Sequence, residues 1–181
     1  MKYKIQTFSK NLLKDFLKSN LHLGSPKSEV QNNMNKLLYG FRNNISILNL
    51  NHTFVSLQRF FMLVRNLRST NQHILFLGFP VWLTHQWKKL ETKSNGVYKF
   101  FNDDLDLAYI GKHSKKIGVI FIFNSQLPNI SKIVHFSKEF NIPLSGFASS
   151  TSNLYDFPIF GNFKSKKSLL LFYHFLLNTL K

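Results

Sequence analysis

Cysteine is absent from the 181 residues, which excludes disulfide scaffolds, thiolate zinc sites and cysteine nucleophiles together. Acidic residues are scarce: 8 Asp+Glu stand against 24 Lys+Arg, a formal net charge of +16. A folded chain with so few counter-charges works against its own repulsion unless a polyanion is at hand. Arginine supplies only 4 of those 24 cations, and alanine occurs only at Ala108 and Ala148. Long apolar runs are missing as well. The richest, Leu169 to Leu177, holds His174 and is far shorter than the roughly 18 to 20 residues that cross a bilayer. Residues 1–5 carry neither the apolar region of a signal peptide nor a convincing Arg-rich leader, so no cleaved targeting segment is expected there.

What is present is aromatic and basic. Phenylalanine occurs 20 times and asparagine 19 times, and apolar residues make up 44 % of the chain. That is enough to build a core, filled with Phe and Leu rather than Ala and Val, since volume and pattern matter more than residue identity. Phe, Asn, Lys and Ile share codons rich in A and T, which points to an AT-rich genome, that of an organelle or a parasite. The length suits one compact domain. We expect a basic helical extension over residues 1–20, with residues 8–18 amphipathic, and a single domain over residues 21–181.

Helical spacing of Leu12, Leu13, Phe16 and Leu17 marks the first helix, which Leu23-Gly24-Ser25-Pro26 breaks. Gly40 to Asn44 reads as a turn and Ile45 to Leu50 as a short strand. Asn51 or Thr53 is placed to cap a helix carrying Leu57, Phe60, Phe61, Val64 and Leu67. Gln72 to Gly78 and Ile117 to Phe123 are near-continuous apolar runs, as in strands buried on both faces of a parallel sheet. A helix is expected over Val81 to Leu90, a short strand at Val97 to Phe101, a helix from Pro128 to Phe140, a strand over Ile142 to Phe147, and a last helix from Ser165 to Leu180. Strand and helix in alternation give right-handed crossovers. The expected fold is therefore α/β: a three-layer, doubly wound, mostly parallel sheet, flavodoxin-like or Rossmann-like.

Three blocks occur in order: Leu21-His22-Leu23-Gly24 followed by Leu38 to Thr53; Ile74-Leu75-Phe76-Leu77-Gly78; and Gly118 to Phe121, leading through Phe140-Asn141-Ile142-Pro143 to Asp156-Phe157-Pro158-Ile159-Phe160-Gly161-Asn162. Together they resemble the bacterial-type ribosomal small-subunit protein two family, in a mitochondrial form, over most of residues 21–178. The departures are specific. Phe79-Pro80 stands where the family has Thr-Lys, Phe163 stands where it has an acidic residue, and its Trp-Leu-Gly-Gly segment has no counterpart. Only residues 90–116 separate the helix at Val81 from the strong strand at Ile117, so the long helical hairpin inserted there in bacterial relatives is expected to be lacking.

The resemblance implies a structural constituent of the mitochondrial small ribosomal subunit, working in translation; with no convincing leader at residues 1–5, synthesis inside the organelle is the matching expectation. It implies small-subunit ribosomal RNA and other small-subunit ribosomal proteins as partners, at the junction of head and body. No catalysis, no cofactor, no metal, no membrane association and no homo-oligomer are expected. The rival reading is a nucleotide-dependent enzyme on the same Rossmann-like fold, with its site near Gly78. Gly-x-Gly-x-x-Gly is missing, and Pro80 has no N–H to offer a phosphate, so Gly78 reads as a tight turn.

Candidate RNA-binding residues are Lys27, Lys36, Arg42, Lys112, Lys115, Lys116, Lys164, Lys166 and Lys167, whose bland reading is a solvated face and whose sharper one is phosphate contact. His22 is set for RNA contact or for local hydrogen bonding. Phe41 is an aromatic able to stack on an unpaired base, against a default role in the core. His73 and His135 are expected among apolar neighbours. Asp156 is expected to stabilise a turn, and Asp103, Asp104 and Asp106 form a solvated acidic loop or, less simply, a divalent-metal site.

Overall fold

A computed structural model describes residues 10–101, 107–124, 127, 129–148 and 154–180. A five-stranded sheet, all of it parallel, is formed by β4 (His73–Leu77), β5 (Tyr98–Phe101), β6 (Ile117–Ile122), β7 (Leu144–Ala148) and β8 (Phe157–Phe160). Its spatial order is β5-β4-β6-β7-β8. The chain leaves β4 for one edge, then returns across it to build β6 and the rest, so the winding reverses between β4 and β6.

The apolar runs explain the layering. Successive strand residues point to opposite faces. Ile74, Phe76, Val119 and Phe121 enter one core with α2 (Leu50–Ser69), α3 (Thr84–Lys93) and α6 (Lys166–Thr179), while Leu75, Leu77, Ile120 and Ile122 enter the other with α4 (Leu107–His113) and α5 (Ile130–Glu139). The first core is rich in aromatic rings among its aliphatic residues: Phe121 stacks on Phe172 with centroids 5.3 Å apart, and Phe60 lies 4.9 Å from Phe121. At the β8 edge the Phe160 N–H donates to Ser56 Oγ of α2 at 3.2 Å, which closes an edge that would otherwise invite another strand.

The expected three-layer, flavodoxin-like domain is present. Several local expectations are corrected. Leu23–Pro26 is a strand, β1, and the segment before Asn43 is another, β2 (Leu38–Arg42); both pair antiparallel with β3 (Ile45–Leu48) in a small separate sheet. Only Asn43 and Asn44 form the turn, both at positive φ (48° and 60°), as a two-residue hairpin between twisted strands requires. The β3 strand ends at Leu48, and the helix cap is Asn49, whose side chain accepts from the Asn51 N–H at 3.0 Å, rather than Asn51 or Thr53. In α1 (Lys10–Lys18) Phe16 is buried, but Leu13 and Leu17 are exposed. Helix α4 and strand β8 were not expected. β8 is short and contains Pro158, which an edge strand tolerates and an interior one does not.

Candidate nucleic-acid interface

Parallel strands deliver their carboxyl ends to one side of the sheet. Gly78 to Val81 after β4, Phe123 and Asn124 after β6, and Gly161 to Lys164 after β8 meet there, roofed by β1, around a cavity of about 730 Å³. It lies at the winding reversal, where sheets of this order hold their ligands. Gly78, at φ +67°, is nonetheless closed as a phosphate cradle: Leu127 Cδ2 stands 2.9 Å from where its Cβ would be, and Pro80 lacks an amide hydrogen. The wall is mixed: Ser25, Glu29, Asn124, Asn162 and Lys164 share it with four rings, Phe79, Phe123, Phe147 and Phe163. Phe147 stacks on the buried Phe163 with centroids 4.0 Å apart and planes 12° apart, while Phe123 and Phe147 stay partly exposed.

Six of the expected RNA-binding residues cluster in the segments framing this end. Lys164, Lys166 and Lys167 are exposed around the start of α6. There the Ser165 hydroxyl accepts from the Ser168 N–H at 3.1 Å, and no acidic residue occupies the first turn. The Lys166 ammonium lies 5.4 Å from the centre of the half-exposed Trp82 ring. On the small sheet, the Lys27 N–H donates to the Asn44 carbonyl at 2.8 Å and its ammonium stands 5.5 Å from the Phe41 centroid. Arg42 is exposed beside them, and Tyr39, on the same strand, is 84 % exposed. His22 is partly buried; its carbonyl accepts from the Leu48 N–H at 2.8 Å, and its enclosed Nδ1 meets no partner among the described residues. Lys36 is exposed at the end of the 3₁₀ turn Asn32–Leu37.

Lys112, Lys115 and Lys116 lie elsewhere. They immediately precede β6, so they occupy the amino end of the sheet, opposite the cavity. There Lys99 Nζ donates to the Tyr109 hydroxyl at 2.8 Å. The pKa of nearby His73 is lowered, by burial first and then by the Lys99 and Lys116 charges. The expected cations thus form two groups, one at each end of the strands.

Little anionic charge offsets either group. Among the described residues the one carboxylate within 4.0 Å of a basic side chain is that of Glu139, 4.0 Å from His135 Nδ1, and no three of His, Asp and Glu gather to hold a metal. Asp103, Asp104 and Asp106 lie outside the described residues. Asp156 fixes backbone: its Oδ2 accepts from the Leu144 N–H at 2.9 Å while its own N–H donates to the Leu144 carbonyl at 3.0 Å. His135 is corrected, for its side chain is 81 % exposed rather than packed among apolar neighbours. No described helix is long and apolar enough to cross a membrane. The sequence reading missed Val81 and Trp82, two exposed apolar residues at the cavity's edge. The signal was Pro80, which ends the strand and starts a 3₁₀ turn, Val81–Leu83, that need not bury every apolar side chain.

Residues 16–98 match the family described as Ribosomal protein S2. A protein of Hahella chejuensis (strain KCTC 2396), named small ribosomal subunit protein uS2, is 36 % identical to this chain over 66 residues, which are 36 % of this chain and 26 % of that protein. The alignment therefore spans about a quarter of the relative's length.

Proposed function

We propose that the chain is a ribosomal protein of the S2 family, a reading supported by the match over residues 16–98, and that it is a non-enzymatic constituent of a small ribosomal subunit that grips ribosomal RNA by its backbone. The observation that supports this most is the pairing deficit: exposed lysines at both ends of a rigid sheet, with no carboxylate within 4.0 Å of a lysine or arginine among the described residues. Lysine ammoniums on a fixed scaffold neutralise phosphates without reading sequence, releasing counterions as they do. The aromatic core makes the scaffold stiff, since close-packed interiors resist deformation.

The mitochondrial subunit is our assignment, on the Phe-, Asn- and Lys-rich composition. Neighbouring ribosomal proteins are assigned to the exposed apolar residues Tyr39, Ile45 and Val81, because such side chains gain from burial in an assembly. The 15 residues between Phe101 and Ile117 fit the loss of the bacterial helical hairpin. The test is the affinity of the purified chain for small-subunit RNA across a salt series. We expect log K to fall steeply and linearly with log[salt]. Salt-insensitive association, or turnover of a small metabolite, would overturn the reading.

A further inference from the structure

We propose that the cavity at the carboxyl end of the sheet seats one unpaired RNA nucleotide, its base against the partly exposed rings of Phe123 and Phe147 and its phosphate on Lys164 at the start of α6. This rests on the RNA-binding reading and adds a specific seat to it.

Three observations converge. The first is size and lining. A cavity of about 730 Å³ falls in the range of small-ligand sites and admits a base with its ribose. Phe123 and Phe147 are only partly buried where they line it. Asn162 adds a carboxamide to the wall: its Oδ1 accepts from the Lys164 N–H at 3.2 Å, and its amide group suits the polar edge of a base. The second is charge. Lys164, Lys166 and Lys167 crowd the positive end of the α6 dipole with no acidic residue in its first turn, an unfavourable placement for a cation that a bound anion relieves. Glu29 is the one carboxylate on the wall. The third is what the cavity refuses. Leu127 fills the space at Gly78, and Pro80 offers no amide, so a free di- or triphosphate finds no cradle in the usual place. The anion-binding side is the α6 side, and a single backbone phosphate suffices there.

Stacking on aromatic rings is tolerant of sequence and is available only to unpaired bases. The seat therefore distinguishes single strands from duplex, which the surface lysines alone do not.

The test uses the full chain and an RNA heptamer with a central 5-iodouridine, whose photochemistry joins it to an aromatic ring stacked upon it. Irradiation followed by peptide mass spectrometry is expected to place the adduct on Phe123 or Phe147, and the same heptamer held in a duplex is expected to give none. Lys164→Glu, an exposed change, should lower the adduct yield about tenfold, whereas Lys115→Glu, at the far end, should leave the adduct in place. Phe147→Leu keeps the site apolar and removes the stack, so in a variant that still melts cooperatively it should abolish the adduct at that site. Adducts confined to Tyr39 or Phe41, equal labelling of duplex, or displacement of the heptamer by an acidic peptide at equal concentration would overturn the proposal. If the heptamer binds with a steep salt dependence but labels no cavity residue, the seat is wrong and the phosphate-gripping role stands. If no RNA binds at all, both fall.

Discussion

The ring of Tyr155 lies across Gly146 so closely that a Cβ there would stand 2.6 Å from Tyr155 Cζ and 2.7 Å from the Ile122 carbonyl oxygen. The carbonyl belongs to the neighbouring strand and has nowhere to go. Gly146→Ala is therefore expected to destabilise the fold by about 3 kcal/mol, the upper range for overpacking a tight core. Gly118 is the control. Its crowding comes from the side chains of Leu67 and Gln72, which can rotate away, so Gly118→Ala should lose about 1 kcal/mol. Urea denaturation of the two variants checks the order, and an equal loss in both would contradict it.

Tyr155 also carries a phenol that meets no hydrogen-bond partner among the described residues, with its pKa pushed up to about 12 by burial. A buried hydroxyl without a partner bears the full loss of hydration. Removing it in Tyr155→Phe keeps the ring over Gly146, so stability should hold or rise, by up to about 1 kcal/mol. A drop in the melting temperature would mean that the hydroxyl is bonded after all.

Tyr98 presents the opposite case. Its hydroxyl bonds Thr179 Oγ1 at 2.8 Å with both groups buried, and Arg68 Nη1 donates to the Thr179 carbonyl. One residue near the end of α6 is thus tied to β5 and α2. Tyr98→Phe should cost about 1 kcal/mol, and the loss should show first as faster amide exchange at the end of α6, since helix ends open before cores.

How far these features were legible in advance follows from the length scale of each signal. The runs Ile74 to Leu77 and Ile117 to Ile122 announce buried parallel strands because both faces must be apolar. The helix at Leu57, Phe60 and Val64 announces itself by its stripe. The small sheet was harder: β1 is four residues long and contains a glycine and a proline, so its local composition argues for a break, and only pairing with β3 makes it a strand. β8 fails by the same logic, its Pro158 being tolerable only at an edge, which no local pattern reveals. As for the interface, composition exposed the surplus of cations, but not that Lys112 and Lys164 lie at opposite ends of the sheet. That separation is set by whether a residue precedes or follows its strand. The cavity was invisible because its walls come from segments far apart in the sequence, from Leu23 to Leu169.

His73 gives a pH dependence with a definite sign. Its pKa lies below the ordinary 6.5, through burial first and the Lys99 and Lys116 charges next. The unfolded chain therefore takes up this proton before the folded one does, and stability falls as pH drops through 6.5 toward the folded value. Above 6.5 the histidine is neutral in both states and contributes no slope. His73→Gln should flatten the melting-temperature profile between pH 7 and 5 relative to the parent chain. An unchanged profile would place the titrating group elsewhere.

The division of cations between the two ends of the sheet predicts how RNA affinity responds to their removal. If one continuous strand of RNA crossed a single patch, neutralising Lys164, Lys166 and Lys167 would remove most of the binding. With a second group at Lys112, Lys115 and Lys116 on the far side, each triple alanine variant should keep part of it. Each should lower the slope of log K against log[salt] by roughly 2 to 3 units, and the sextuple variant by about the sum. The two groups are separated by the length of the sheet, far enough for independent sites to add. Filter binding to small-subunit RNA at four or more salt concentrations measures all three slopes. Complete loss from either triple variant alone would show that only one end of the sheet meets the RNA.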